Sequence, residues 1–275
     1  MIVETAPAKI NLALHIRARR SDGYHELETL FAFLADGDTV TLEDGPPGLV
    51  IEGPFAGGLD SGADNLVVRA AALFAETFGV PDRAALTLVK RLPIASGIGG
   101  GSADAAATLR ALARRHGIAR DDRRLFDAAL ALGSDVPACL LGRTALGRGR
   151  GEVLTPSDGL AGTPVLLVNP GVAVSTASVF RAWSGADAGP IPPGDPLAAA
   201  LAGRNDLEPP ARLLAPEIDA VLAELTGMAG ARLVRMSGSG ATCFALFDGV
   251  AARDAARASI ASCRPEWWCL SSVLT

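Results

Sequence analysis

Two hydrophobic periods alternate along the chain, and each change of period marks a new element. In KINLALHIR, residues 9–17, Ile10, Leu12, Leu14 and Ile16 fall on one face, and Lys9, Asn11, Ala13 and His15 on the other. This period of two predicts a half-buried strand and sets Lys9 and Asn11 on a shared face. A polar connection, RRSDGYHE, follows, with Asp22-Gly23 as turn residues. LETLFAFLADGDTVTLED predicts more strand, with a turn near Asp36-Gly37. The period then lengthens. Asn65 stands where a helix cap belongs, and Leu66, Ala70, Leu73, Phe74 and Thr77 give the stripe of a helix to about Phe78, stopped by Gly79 and Pro81. ALTLVKRLP, 85–93, predicts another strand.

A glycine-rich loop leads into a helix expected from Ser102 to about His116, with Ala105, Leu109, Leu112 and Ala113 inward. Arg110, Arg114 and Arg115 load its C-terminal half, where positive charge suits the macrodipole, and Gly117 is a natural end. A second helix, about 121–132, ends at Gly133. From about residue 160 the pattern restarts: strand TPVLLVN, a short helix in STASVFRAW capped by Ser175 or Thr176, and a Gly/Pro-rich connection. Helix PEIDAVLAEL, strand ARLVRM, loop SGSGAT, strand TCFALFD, helix VAARDAARASIAS and strand EWWCLSSV complete it. The order β–α–β–β–α–β is the split arrangement of ferredoxin-like folds. A boundary near residue 155 divides the chain into 1–155 and 156–275.

Composition narrows the partners. The 275 residues are 49% hydrophobic and 20% charged, with net charge −5, an ordinary globular balance. With no basic surplus, a nucleic-acid partner is not expected. Cys139, Cys243, Cys263 and Cys269 form no C-x-x-C pair and lie among apolar residues, which suits reduced core thiols. MIVETAPAKIN lacks the pattern of a signal peptide, and no apolar run reaches the ~20 residues of a membrane span. A cytoplasmic protein without membrane partners, monomer or homodimer, is the expectation.

The chemistry concentrates in PIASGIGGGSADAAATL, 93–109. Glycines between a strand and a helix offer backbone N–H groups with no Cβ in the way, and the helix start adds partial positive charge, so a phosphate chain fits. No Lys-Ser or Lys-Thr pair follows, so this is not the common P-loop. Ser102 is placed to cap the helix or reach a phosphate, whereas Asp104 would repel one unless turned away or screened. A strand-to-helix turn that needs positive φ would also use glycine, but one or two suffice.

Three other stretches bear on that loop. In PAKINL, Lys9 reads as a solvated strand residue or as a charge held beside Asn11. In LGSDVPACL, Asp135 reads as a helix cap or as a pinned, partly buried carboxylate. In MSGSGATCF, two glycines and two serines make a hairpin that would also close backbone amides over an anion.

PAKINLALHI, DGYHELETLF, NLVVRAA, GIGGGSADAA, LGSDVPACL and SGSGAT, in this order, resemble the GHMP superfamily of small-molecule kinases. Within it they are most similar to the branch that phosphorylates 4-diphosphocytidyl-2-C-methyl-D-erythritol in non-mevalonate isoprenoid synthesis. The resemblance implies an α+β fold, with an N-terminal α/β domain like domain 2 of ribosomal protein S5 and a C-terminal ferredoxin-like domain. It implies ATP along Pro93, Ile94, Ala95, Ser96, Gly97, Ile98, Gly99, Gly100, Gly101, Ser102 and Ala103. Mg²⁺ is expected with ATP, and no acidic residue is assigned to it. Lys9 and Asp135 take the catalytic roles. Asn11, Tyr24, His25, Phe180, Gly238, Ser239 and Gly240 take the substrate, with Tyr24 stacking on the cytosine, His25 hydrogen-bonding it and Phe180 closing its other side.

Two departures from the family loop, Ala95-Ser96 in place of a glycine pair and Ala103 in place of a second serine, leave the cradle intact. A homoserine, mevalonate or sugar kinase of the same superfamily is the alternative, and the DGYH turn discriminates, since those substrates have no base to stack. A nucleotide-binding sensor without catalysis is a third reading, against which Lys9 and Asp135 both stand.

Overall fold

The computed structural model describes residues 1–81 and 84–275. They group into two compact units built from interleaved segments: Met1–Lys9, Asp36–Ile94 and Gly99–Gly142 in the first, Ile10–Ala35, Ala95–Ile98 and Arg143–Thr275 in the second.

The first unit takes the start of β1 (Ile2–Arg19), the second half of β2 (His25–Asp44), then β3 (Gly48–Glu52), α1 (Leu66–Phe78), β4 (Ala84–Val89), α2 (Gly100–His116), α3 (Arg123–Leu132) and α4 (Val136–Leu141). β4 pairs antiparallel with β2, from Thr39 opposite Val89 to Asp44 opposite Ala84, and parallel with β3. Asn65 caps α1 by accepting from the Val67 N–H, and Gly79 ends it in a left-handed conformation. α2 packs against α1, α3 and α4. It is therefore buried on every side from Ala103 to Ala113, not along one stripe, and its small alanines permit this.

The strands depart from the sequence reading in two ways. β1 is buried on both faces over Ala8–Ile16, because Lys9, Asn11 and His15 are themselves covered and partnered. β2 runs unbroken through Asp36-Gly37, with no turn. A Cβ at Gly37 would lie 2.0 Å from the Ala6 carbonyl oxygen, so this glycine admits a neighbouring backbone and does not reverse the chain.

The second unit pairs the first half of β2 antiparallel with β5 (Ala145–Arg148), and β5 with β6 (Val153–Pro156). It continues through β7 (Pro164–Asn169), α5 (Thr176–Ala182), α6 (Pro196–Ala202), α7 (Glu208–Leu214), α8 (Glu217–Thr226), β8 (Ala231–Met236), β9 (Cys243–Phe247), α9 (Val250–Cys263) and β10 (Trp268–Val273). Ser175, not Thr176, caps α5. The sheet order β10-β7-β9-β8, antiparallel throughout, is the ferredoxin-like split arrangement. α6 and α7 lie in stretches the sequence reading left without helix, each opened by proline in its first turn. Leu166, Val168, Met236, Phe247, Ile218, Val221 and Ile260 form the core, joined by Leu14 and Ile16 of β1.

All four cysteines are free thiols. Burial pushes the Cys139 thiol up to about 12, which makes it an inert packing group. Among the described residues no helix is long and apolar enough to cross a membrane.

Candidate active site

Lys9 and Asp135 meet in the first unit. β1 delivers Lys9 with 4% of its side chain exposed, and its Nζ lies 2.8 Å from Asp135 Oδ2. Asp135 occupies the cap position of α4, yet its side chain makes no capping bond. Pro137 in the first turn lacks an N–H, so α4 has one donor fewer there to satisfy. The carboxylate is left to face Lys9, and at 36% exposure it stays open on one side. Gly99 completes the arrangement, because a Cβ there would sit 2.9 Å from Lys9 Cε. A carboxylate held by an ammonium on one side and open on the other is placed to meet a hydroxyl.

The N-terminus of α2 rests on a second lysine that sequence reasoning missed. Lys90 Nζ donates to Asp38 Oδ2 at 2.5 Å and to Asp104 Oδ2 at 2.7 Å, and all three residues are buried. The other Asp38 oxygen accepts from the backbone N–H of Arg91 and Leu92. A Cβ at Gly100 would lie 2.9 Å from Lys90 Nζ, so glycine here lets the lysine pass beneath the loop. Asp104 is thereby turned inward, away from the helix start where it would repel an anion. Burial, assisted by neighbouring Asp38, raises the Asp104 carboxyl to about 7 against the pull of Lys90, and its Oδ1 has no hydrogen-bond partner among the described residues. Burial opposes the Lys90 charge too, but the two carboxylates outweigh it and its pKa is raised. The only sequence signal was a lysine on a strand just before the loop.

α2 begins two residues earlier than expected, at Gly100, with Gly99 as its cap residue at φ 67° and no side-chain cap. Ser102 is thus inside the first turn and is not the cap. Pro93 and Ile94 precede the glycines in the first unit, and Gly101, Ser102 and Ala103 form the first turn of α2.

Residues 95–98 belong to the second unit and interlock with its C-terminal glycine loop. Gly97, at φ 77°, has no room for a side chain: a Cβ would come 2.5 Å from the Ser237 carbonyl oxygen and 2.8 Å from that of Gly240. Ser237 Oγ donates to the Gly97 carbonyl at 2.9 Å and accepts from the Asn11 N–H at 3.2 Å. The Thr242 N–H reaches the Ser96 carbonyl at 3.2 Å. Asn11 Nδ2 donates to Thr29 Oγ1 at 2.7 Å. Gly238 stands against the Gly97 carbonyl, Ser239 Oγ is 2.9 Å from Thr176 Oγ1, and Gly240 lies against Met236. Asn205, also missed from sequence, braces the loop by donating to the Met236 and Gly238 carbonyls, each at 2.8 Å.

The second unit also gathers Tyr24, His25 and Phe180. His25 and Phe180 ring centroids are 5.0 Å apart, and Trp183 meets His25 edge-on at 5.7 Å. Burial first, and then the charge of Arg19, holds the His25 pKa below its ordinary value, and its Nε2 is buried with no partner among the described residues. Tyr24 is 51% exposed, with the Arg150 guanidinium 4.8 Å from its ring centre. Trp183 beside His25 and Arg150 beside Tyr24 were unforeseen; an aromatic three residues after Phe180 was the available sign for the first.

Two features suit a nucleotide's phosphates: the uncapped first turn of α2, and the inward turn of Asp104 that removes negative charge from it. Among the described residues no group of three or more His, Cys, Asp or Glu is placed to hold a metal ion. A magnesium ion carried on nucleotide phosphates requires only one or two protein carboxylates, fewer than such a group holds.

Residues 65–143 match the GHMP kinases N terminal domain, and residues 195–263 the GHMP kinases C terminal domain. The chain is 57% identical to the 4-diphosphocytidyl-2-C-methyl-D-erythritol kinase of Rhizorhabdus wittichii, over 98% of this chain and 94% of that one. It is 53% identical to the enzyme of the same name from Sphingopyxis alaskensis, over 98% of each. A crystal structure of 4-(cytidine 5'-diphospho)-2C-methyl-D-erythritol kinase superposes with a TM-score of 0.82 at 38% identity, covering 99% of both chains. Homoserine kinase from Cytophaga hutchinsonii, at 19% identity and a TM-score of 0.72, shares the fold. With its S5-like and ferredoxin-like domains, the chain belongs to the GHMP kinases and is a phosphotransferase of that family.

Proposed function

We propose that this kinase transfers the γ-phosphoryl group of ATP to the 2-hydroxyl of 4-diphosphocytidyl-2-C-methyl-D-erythritol, a step of non-mevalonate isoprenoid synthesis. The observation that carries the reading is the His25 cluster. A half-buried histidine whose Nε2 has no partner among the described residues, set between Phe180 and Trp183 and next in sequence to an exposed tyrosine, suits a flat heterocycle with hydrogen-bonding edges. Homoserine, mevalonate and simple sugars have no base to stack. Base-on-aromatic stacking is worth roughly 1–3 kcal/mol per base, enough to set substrate choice. The two relatives and the crystal structure named for this activity support the same reading.

In the first unit, Asp135 accepts the proton of the attacking hydroxyl, and Lys9 holds Asp135 in place and offsets charge developing on the transferred group. Pro93 to Ala103 take the nucleotide, with its phosphates at the first turn of α2. Mg²⁺, when bound with ATP, neutralises phosphate charge. In the second unit, Tyr24, His25 and Phe180 hold the base, and Asn11, Gly238, Ser239 and Gly240 contribute to substrate binding.

An ADP-release assay across a panel of hydroxyl acceptors tests the reading. Turnover with the cytidyl polyol, and little with homoserine, mevalonate or galactose, is expected. Preference for any of those three would overturn it.

A further inference from the structure

Arg110 lies on α2 and is buried, too deep to meet a substrate. Its guanidinium donates three ways. Nη2 reaches the Thr5 carbonyl at 2.7 Å, Nη1 the Cys139 carbonyl at 2.9 Å, and Nε the Glu4 carboxylate at 3.2 Å. Thr5 is on β1, four residues before Lys9. Cys139 is on α4, and its own N–H closes the first turn of that helix on the Asp135 carbonyl at 3.1 Å. One rigid cation therefore ties together the strand that carries Lys9 and the helix that carries Asp135. Glu4 supplies the countercharge and is also bound by Arg114 at 2.7 Å.

We propose that Arg110 is a positioning residue that sets the Lys9–Asp135 register by clamping the Thr5 and Cys139 carbonyls. Lys9 and Asp135 are 126 residues apart in sequence, and neither β1 nor α4 is bonded to the other by a regular ladder. The planar fork of arginine spans two carbonyls in fixed directions, and lysine has no such fork. Phosphoryl transfer depends on alignment, and a displacement of about 1 Å is enough to cost ~100-fold in rate. The inference rests on the kinase reading for its activity arm only.

The test compares Arg110→Lys, Arg110→Met and Glu4→Gln in the full chain. Arg110→Lys keeps a cation and loses the fork; kcat should fall by about tenfold or more while KM for ATP and for the acceptor stays within about twofold. Glu4→Gln leaves both carbonyl bonds in place, so it should lower Tm yet keep kcat within about twofold of the parent. Equal kcat losses in Glu4→Gln and Arg110→Lys would mean that the buried charge balance matters and the clamp does not, which overturns the proposal. Amide hydrogen exchange, read without substrate, supplies a second arm. Segments 5–9 and 135–141 should exchange faster in Arg110→Lys, with the β7–β10 sheet unchanged. Unaltered exchange in both segments would overturn the clamp whatever the acceptor proves to be, and if Arg110→Met fails to fold, Arg110→Lys decides. A wild-type protein inactive on the cytidyl polyol would count against the substrate reading, and the exchange arm would still decide Arg110.

Discussion

Lys9 Nζ and Asp135 Oδ2 stand 2.8 Å apart, one almost wholly enclosed and the other a third open. The asymmetry suits a division of labour: the covered lysine fixes charge, and the open carboxylate meets the acceptor. Asp135→Asn removes the proposed proton acceptor and keeps the shape, and Lys9→Ala removes the charge. Each is expected to lower kcat by a factor on the order of 100 to 10,000, the usual yield of acid–base and charge-stabilising groups. ATP should still bind, since the first turn of α2 is untouched. Single-turnover kinetics with nucleotide titration checks this; near-normal turnover in either variant removes that residue from the mechanism.

Tyr24→Ala is expected to raise KM for the cytidyl acceptor and spare KM for ATP. The tyrosine ring is half exposed and meets Arg150 from one side, so its loss leaves the core intact. A stacking contribution of roughly 1–3 kcal/mol corresponds to about a fivefold to 150-fold rise. His25→Ala should act in the same direction but also lower Tm, because His25 packs against Phe180 and Trp183. Parallel loss of ATP affinity in Tyr24→Ala would assign that residue to the fold.

The strands and helices with clean periods were legible in the sequence. α1 was framed by Asn65 and Gly79, α3 stopped at Gly133, and the four strands of the ferredoxin-like sheet came in the order read from the pattern. What escaped were facts about tertiary contact. Gly37 looked like a turn because nothing local reveals that the Ala6 backbone passes against it. The glycine loop carried a related ambiguity. Gly97, Gly99 and Gly100 are each required by close protein neighbours, so their density reports packing around Lys9, Lys90 and Ser237 as well as room for a phosphate. Lys90 was invisible as a structural centre, because its partners Asp38 and Asp104 lie 52 and 14 residues away with no shared periodicity.

That buried trio makes a prediction about pH. Two carboxylates share one ammonium, and burial with Asp38 nearby raises the Asp104 carboxyl from 3.8 to about 7. A group whose folded pKa is raised contributes stability that is complete below its unfolded pKa and is lost as pH rises through the folded one. Asp104→Asn mimics the protonated form at every pH. The stability of Asp104→Asn relative to the parent should therefore improve between about pH 4 and pH 7, then level off. Lys90→Met leaves two buried carboxylates without their cation and should cost about 3–5 kcal/mol. Denaturant unfolding at several pH values checks both. A difference between Asp104→Asn and the parent that stays constant from pH 4 to 8 would contradict the raised Asp104 pKa.

His15 sends the pH dependence the other way. It is fully buried in the second unit, and its partners define its tautomer. The Arg204 N–H can only donate, so Nε2 accepts from it at 3.0 Å, and Nδ1 carries the hydrogen toward the Gly189 carbonyl, also at 3.0 Å. Protonation would place a second N–H against a backbone donor. Burial first, and then the nearby Arg204 charge, lower the His15 pKa from 6.5. With the folded pKa depressed, the unfolded chain binds the proton first, so stability is full above about pH 6.5 and declines as pH falls toward the folded value. His25, also depressed, acts in the same window. His15→Gln abolishes one of these titrations and costs packing at every pH. The parent's advantage over His15→Gln should thus be greatest at pH 7.5 and shrink by pH 5.5. An advantage that grows on acidification would mean that His15 is charged in the folded protein, and the Arg204 N–H to His15 Nε2 hydrogen bond would have to be abandoned.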